Sequence, residues 1–144
     1  MCPPPSSTNC DPEVVVATAT GFALKNRRKG QNFIWGEVSA TGELEFVVEN
    51  LPKDGTGCPG WWMFERMMEH IGSNVTAIRG SWTYGDNLDT VNRLTTGGAM
   101  SMTEAAFQGP TGQYALAHGF VNVHVGLEVG KPGAYSAVEV RFTK

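Results

Sequence analysis

The fold turns on residues 120–144, FVNVHVGLEVGKPGAYSAVEVRFTK. Val121, Val123, Val125, Leu127 and Val129 alternate with Asn122, His124, Gly126 and Glu128, the period-two signature of a strand with one buried face. Gly130-Lys131-Pro132-Gly133 then turns the chain. Setting Val129 against Ala134 places Val125 opposite Val138, Val123 opposite Val140 and Val121 opposite Phe142, so the apolar faces agree. The same register predicts His124 opposite Glu139, Asn122 opposite Arg141 and Glu128 opposite Tyr135 on the other face. The chain is therefore expected to end in a β-hairpin, 121–129 and 134–143.

Working back from this hairpin, residues 61–71 (WWMFERMMEHI) predict the main helix, about 60–71. Trp61, Phe64, Met67, Met68 and Ile71 recur at three and four residues, Glu65, Arg66 and Glu69 take the other face, Pro59 suits the first turn and Gly72 the stop. Residues 33–39 and 43–49 flank Ala40-Thr41-Gly42 and read as a second hairpin. Residues 13–24 (EVVVATATGFAL) are β-branched, a strand or a bent pair of short ones around Gly21. Residues 75–82 predict one more strand. Two or three short helices follow: one capped by Asp86 or Asn87, carrying Leu88, Val91 and Leu94 and ending at Gly97-Gly98; one opened by the capping box Ser101-x-x-Glu104; and one capped by Thr111, running to Gly119. The expected class is α+β, a mostly antiparallel twisted sheet of about five to six strands. Residues 1–12 (MCPPPSSTNCDP) bury too little apolar area to offset the entropy of ordering them, which predicts a disordered linker or tail before a single globular domain, 13–144.

A chain of 144 residues with 41% hydrophobic side chains suffices for one core. Its net charge of −3 supplies no general field for polyanions, so nucleic acid or an anionic membrane could be met only locally. Lys25, Arg27, Arg28 and Lys29 are the obvious local cluster and read as a solvated turn. No apolar run approaches a membrane span and no signal peptide opens the chain, which predicts a soluble protein. Cys2, Cys10 and Cys58 are odd in number and lack C-x-x-C spacing; they read as free or reducible thiols, with Cys2–Cys10 the pairing open to the tail, and lean towards a reducing compartment. No His stands at zinc-ligand spacing, so no metal is expected.

Three constellations carry chemistry. The first is the Gly-rich stretch 53–60 (KDGTGCPG) before the main helix, where Lys53 and the backbone at Gly55, Gly57 and Gly60 would cradle a phosphate. The order of elements, two strands, a Gly-rich loop, a helix, a strand and then the 114–120 segment YALAHGF before a final hairpin, resembles the GCN5-related N-acetyltransferases. That resemblance implies acetyl-CoA or another acyl-CoA at the loop, and Tyr114 as a catalytic residue. The loop departs from the family in lacking its Arg or Gln ahead of the glycines, and Tyr114 lies one position off the usual Tyr. The second constellation is His124, Glu139 and Arg141 on the outer face of the final hairpin. An acid, a base and a phosphate-holding guanidinium suffice for metal-independent RNA cleavage, as in ribonucleases of the barnase type. The third is 79–87 (RGSWTYGDN), whose Arg79, Trp82, Tyr84 and Asn87 stand at a strand end and suit substrate contact. Trp61, Trp62, Trp82 and Tyr84 together offer a non-catalytic alternative, an aromatic surface for a protein or a carbohydrate. His70 reads as a surface residue near a helix end.

A Pro/Ser-rich junction, the stretches 80–96 and 102–112, and a Gly-x-x-Gly-x-Tyr turn resemble the C-terminal toxin domains of bacterial polymorphic secreted proteins of the Rhs and contact-dependent-inhibition kind. The resemblance implies a delivered effector that acts in the cytoplasm of a target cell and is neutralised by an immunity protein, with the catalytic class left open between acyltransferase and ribonuclease.

Overall fold

The computed structural model describes residues 9–28, 30–50 and 56–144. The contacts of the chain cluster into two compact units, Met1–Val75 and Thr76–Lys144, each with its own strands, helix or helices, and buried side chains. Seven strands and four α-helices are present among the described residues. The class is α+β, and every strand pairing within the two units is antiparallel.

In the first unit, β1 (Pro12–Ala17), β2 (Gly21–Asn26), β3 (Asn32–Val38) and β4 (Glu43–Asn50) pair in that order, and α1 (Gly60–Ile71) packs on β2, β3 and β4. The strand count exceeds the five to six expected because residues 13–24 fold back on themselves. Their turn is Thr18-Ala19-Thr20, closed by Thr18 N–H donating to the Gly21 carbonyl at 2.9 Å, and it carries none of the Gly, Pro or Asn that advertise a turn. The β3–β4 hairpin forms as expected, with Gly42 in the left-handed region at φ 86°. α1 also forms where its periodicity places it, but its buried stripe is rotated. Trp62 is buried and Trp61 is 55% exposed, while Arg66, assigned to the solvent face, is only 5% exposed. A guanidinium stacked 5.3 Å from the Trp62 ring centroid explains the difference, since the long apolar stem of an arginine can lie along a buried surface.

In the second unit the strand order is β5 (Ala77–Trp82), β7 (Ala137–Thr143), β6 (Asn122–Val129). Between β5 and β6 run α2 (Asp86–Thr95), α3 (Met102–Ala106) and α4 (Pro110–Ala117). The Ser101 hydroxyl accepts from Glu104 N–H at 3.2 Å, so Ser101 caps the helix as expected, and it donates to Glu104 Oε1 at 3.2 Å. The other two caps differ from expectation. Gly85 occupies the cap position of α2, and Asn87 instead reaches to α4, where its Oδ1 accepts from Thr111 N–H at 3.0 Å and its Nδ2 donates to Thr111 Oγ1 at 2.9 Å. α4 starts at Pro110, whose missing N–H costs nothing in a first turn.

The final hairpin forms, but in another register. Val129 pairs with Ala137, not Ala134, and Val125 with Val140, Val123 with Phe142, His124 with Arg141 and Asn122 with Thr143. α2 causes the shift. Tyr135 N–H donates to Asn92 Oδ1 at 2.6 Å, Asn92 Nδ2 donates to the Tyr135 carbonyl at 3.0 Å, and Gly133 N–H donates to Thr95 Oγ1 at 3.1 Å. Residues 133–135 are thus bound to a helix and cannot extend the ladder. A bulge between Val125 and Leu127 then reverses the alternation, so that Leu127 faces with Glu139 and is 42% exposed, where the period-two pattern placed it in the core. Glu128 pairs with Val138, and Tyr135, expected opposite Glu128 on the outer face, is buried.

Candidate functional site

The β5–β7–β6 ladder sets Arg79 opposite Arg141 and Arg141 opposite His124. Directly opposed residues share a face. Three basic side chains, one from each strand, therefore form a row across the face turned away from the buried Ile78, Val138, Val140 and Phe142. The next row along is Ser81, Glu139 and Leu127. Glu139 Oε1 accepts from Arg79 Nη2 at 3.1 Å and from Ser81 Oγ at 3.1 Å. Both members of the ion pair are about 40% exposed, at 41% and 38%, so solvent reaches the cluster. His124 Nε2 lies 3.5 Å from Thr143 Oγ1.

His124, Glu139 and Arg141, expected on this face, are all on it. The expected geometry needs correcting: Glu139 faces Ser81 and Leu127, and His124 faces Arg141. Acid and base are diagonal neighbours, about 7–8 Å apart at their Cα atoms for such a pair. Arg79 belongs to the strand-end stretch 79–87, and Ser81 within that stretch carries no chemical signal of its own. Period-two alternation in 77–82 held the signal, because Arg79 and Ser81 share parity, but only the pairing of β5 with β7 brings them to Glu139.

The Gly-rich loop is different in kind. Lys53 and Gly55 lie outside the described residues, as do Cys2 and Lys29. In the remainder, Cys58 forms a disulfide with Cys10, 48 positions away, with Cα atoms 4.6 Å apart. The reading of free thiols is overturned for this pair, and Asn9–Pro12, counted with the tail by composition, are bonded to the first unit. Cys58 N–H donates to Asn32 Oδ1 at 2.6 Å, and Asn32 Nδ2 returns a bond to the Cys58 carbonyl at 3.0 Å. Asn26 Nδ2 donates to Asn32 Oδ1 at 3.1 Å and to the Asn9 carbonyl at 2.7 Å, while its Oδ1 accepts from Asp11 N–H at 2.9 Å. Gly57 is left-handed at φ 83°, and a Cβ there would stand 2.8 Å from Asn32 Oδ1. Its glycine is accounted for by this knot of buried amides. Gly60 opens α1 and is buried.

The remaining candidates separate. Tyr114 lies on α4, where burial, and secondarily the charge of Asp86, raise its pKa, which opposes a phenolate role. Trp82, expected to contact substrate at a strand end, is in the core at 6% exposure, its ring 6.4 Å from that of Phe142; a Cβ on Gly80 would meet its Nε1 at 2.7 Å, so the indole lies over the strand it belongs to. Tyr84 is 75% exposed, and Asn87 is committed to Thr111. Trp61 is exposed but its neighbour Trp62 is not, so the four aromatics make no common surface within either unit. His70 does more than face solvent: its Nε2–H donates to the Thr18 carbonyl at 2.7 Å, pinning the β1–β2 turn to α1.

Among the described residues no group of three or more His, Cys, Asp and Glu side chains is placed to hold a metal ion. No helix there is long and apolar enough to cross a membrane. The chain matches no family model, no curated protein and no solved structure.

Proposed function

We propose that the outer face of β5, β7 and β6 is a metal-independent ribonuclease site. The observation that carries this reading is the cross-strand row Arg79, Arg141, His124 with Glu139 beside it. Glu139 pairs with Arg79, and Arg141 in the same row can hold a phosphate through the paired hydrogen bonds that arginine makes with phosphate oxygens. Diagonal placement of His124 and Glu139 leaves space for a phosphodiester between them. Glu139, aimed by Arg79 and Ser81, takes the proton of the ribose 2′-hydroxyl as that oxygen attacks phosphorus. The imidazolium of His124 gives a proton to the departing 5′-oxygen, leaving a cyclic 2′,3′-phosphate. The acyl-CoA reading has no comparable support, since the described part of its loop spends the Cys58 N–H on Asn32 and carries no N–H at Pro59. Under this proposal the chain is the catalytic part of a toxin-type effector acting in a target cell's cytoplasm, and an immunity partner would cover the basic row with acidic groups.

The test is cleavage of a labelled RNA by the purified protein in excess EDTA. His124→Ala and Glu139→Gln should each slow cleavage by about 10²-fold or more, with circular dichroism unchanged. Wild-type rates in both variants, or an intact RNA with the wild-type protein, would sink the reading.

A further inference from the structure

The pairing of β1 with β2 is irregular between Val14 and Val16: Val14 faces Leu24, and Ala17 faces Phe22. The extra residue shifts the alternation, so Pro12, Val14 and Ala17 share the helix-facing side, and the small Ala17 stands where regular pairing would have brought Val16. A cleft of about 510 Å³ remains between β1 and α1. Its floor is Phe22, Leu24 and Trp62, all buried. This size and apolar lining suit a small molecule.

One buried charge stands in that wall. The Arg66 guanidinium donates from Nη2 to Glu69 Oε1 at 2.6 Å, and Glu69 is 43% exposed. This carboxylate therefore reaches the buried cation from the solvent side. We infer that the cleft binds an apolar monocarboxylate, whose carboxylate replaces that of Glu69 on Arg66 while its hydrocarbon body fills the space between Val14, Ala17 and Trp62. The exchange keeps the guanidinium paired and adds apolar burial. A cationic ligand has the opposite difficulty, because the nearest carboxylate already belongs to Arg66. The site lies wholly in the first unit and is independent of the ribonuclease proposal.

Trp62 fluorescence or calorimetry with decanoate, decanol and decyltrimethylammonium as probes tests this directly. Decanoate should bind about tenfold more tightly than decanol, and the ammonium weakest. Glu69→Gln removes the internal competitor and should tighten decanoate binding by about tenfold, while leaving decanol unchanged. Arg66→Met should abolish the preference for decanoate, and Ala17→Phe, at an exposed position, should block all three probes. If Arg66→Met does not fold, the sign of the Glu69→Gln effect decides alone. Equal binding of decanoate and decanol, tighter binding of the ammonium, weakening by Glu69→Gln, or no binding of decanoate up to its solubility limit each overturns the inference.

Discussion

Asn32 is fully buried, and its side-chain amide serves both backbone groups of Cys58, the Asn26 amide and Asn50 Oδ1. Removing it strands several buried polar groups at once, and each unsatisfied group carries most of its desolvation cost. Asn32→Ala is expected to lower stability by about 2–4 kcal/mol, read from the denaturant midpoint; an unchanged midpoint would show that the knot contributes nothing. Nothing in the one-dimensional pattern marks this residue, since an Asn opening a strand is ordinarily a turn residue. Glu13 offers a gentler case at the same scale. Hydrogen bonds from Arg27 and then Lys25 hold its carboxyl below the ordinary carboxylate range. A depressed folded pKa contributes stability above the unfolded value, and that contribution fades as pH falls through the folded one. Glu13→Gln should therefore be slightly less stable than wild type at neutral pH, and the difference should vanish in strong acid. Because the pair is exposed, the effect is small and should shrink further in high salt.

At the level of elements, α1 and the β3–β4 hairpin were legible because their signals are local: a helical period, and a Gly at the one turn position that needs a positive φ. The register of β6 on β7 was not. Alternating valines are satisfied by any even shift, so the pattern alone leaves pairings two residues apart nearly equivalent, and Asn92 and Thr95 of α2 choose among them by capturing residues 133–135. The candidate site inherits this ambiguity: the sequence placed His124, Glu139 and Arg141 on one face but opposed the wrong pair. Asn92→Ala is expected to speed amide hydrogen exchange at Tyr135 by about tenfold or more while leaving Val140 protected, as observed by NMR. Equal protection at Tyr135 in the variant would mean that the loop holds its own conformation without the helix.

For the whole molecule, the Cys10–Cys58 disulfide joins the entry of β1 to the entry of α1 across 48 positions, and a closed loop of that length restricts the unfolded chain by about 4 kcal/mol in the chain-entropy picture. Reduction under native conditions is expected to lower the melting temperature by on the order of 10 °C, and Cys10→Ser should reproduce the effect without reductant. A melting curve indifferent to reductant would exclude a stabilising role. The sequence by itself determined the α+β class, the positions of most elements and that His124, Glu139 and Arg141 of the last hairpin share the face turned away from the core, because propensity, capping and periodicity act between near neighbours. Only the tertiary structure decided the partner of Cys58, the commitment of Gly57 to a buried amide, and the assembly of Arg79 and Ser81 with Glu139. Those depend on contacts between residues 25 to 60 positions apart, whose geometry is set by packing and by competition for hydrogen bonds.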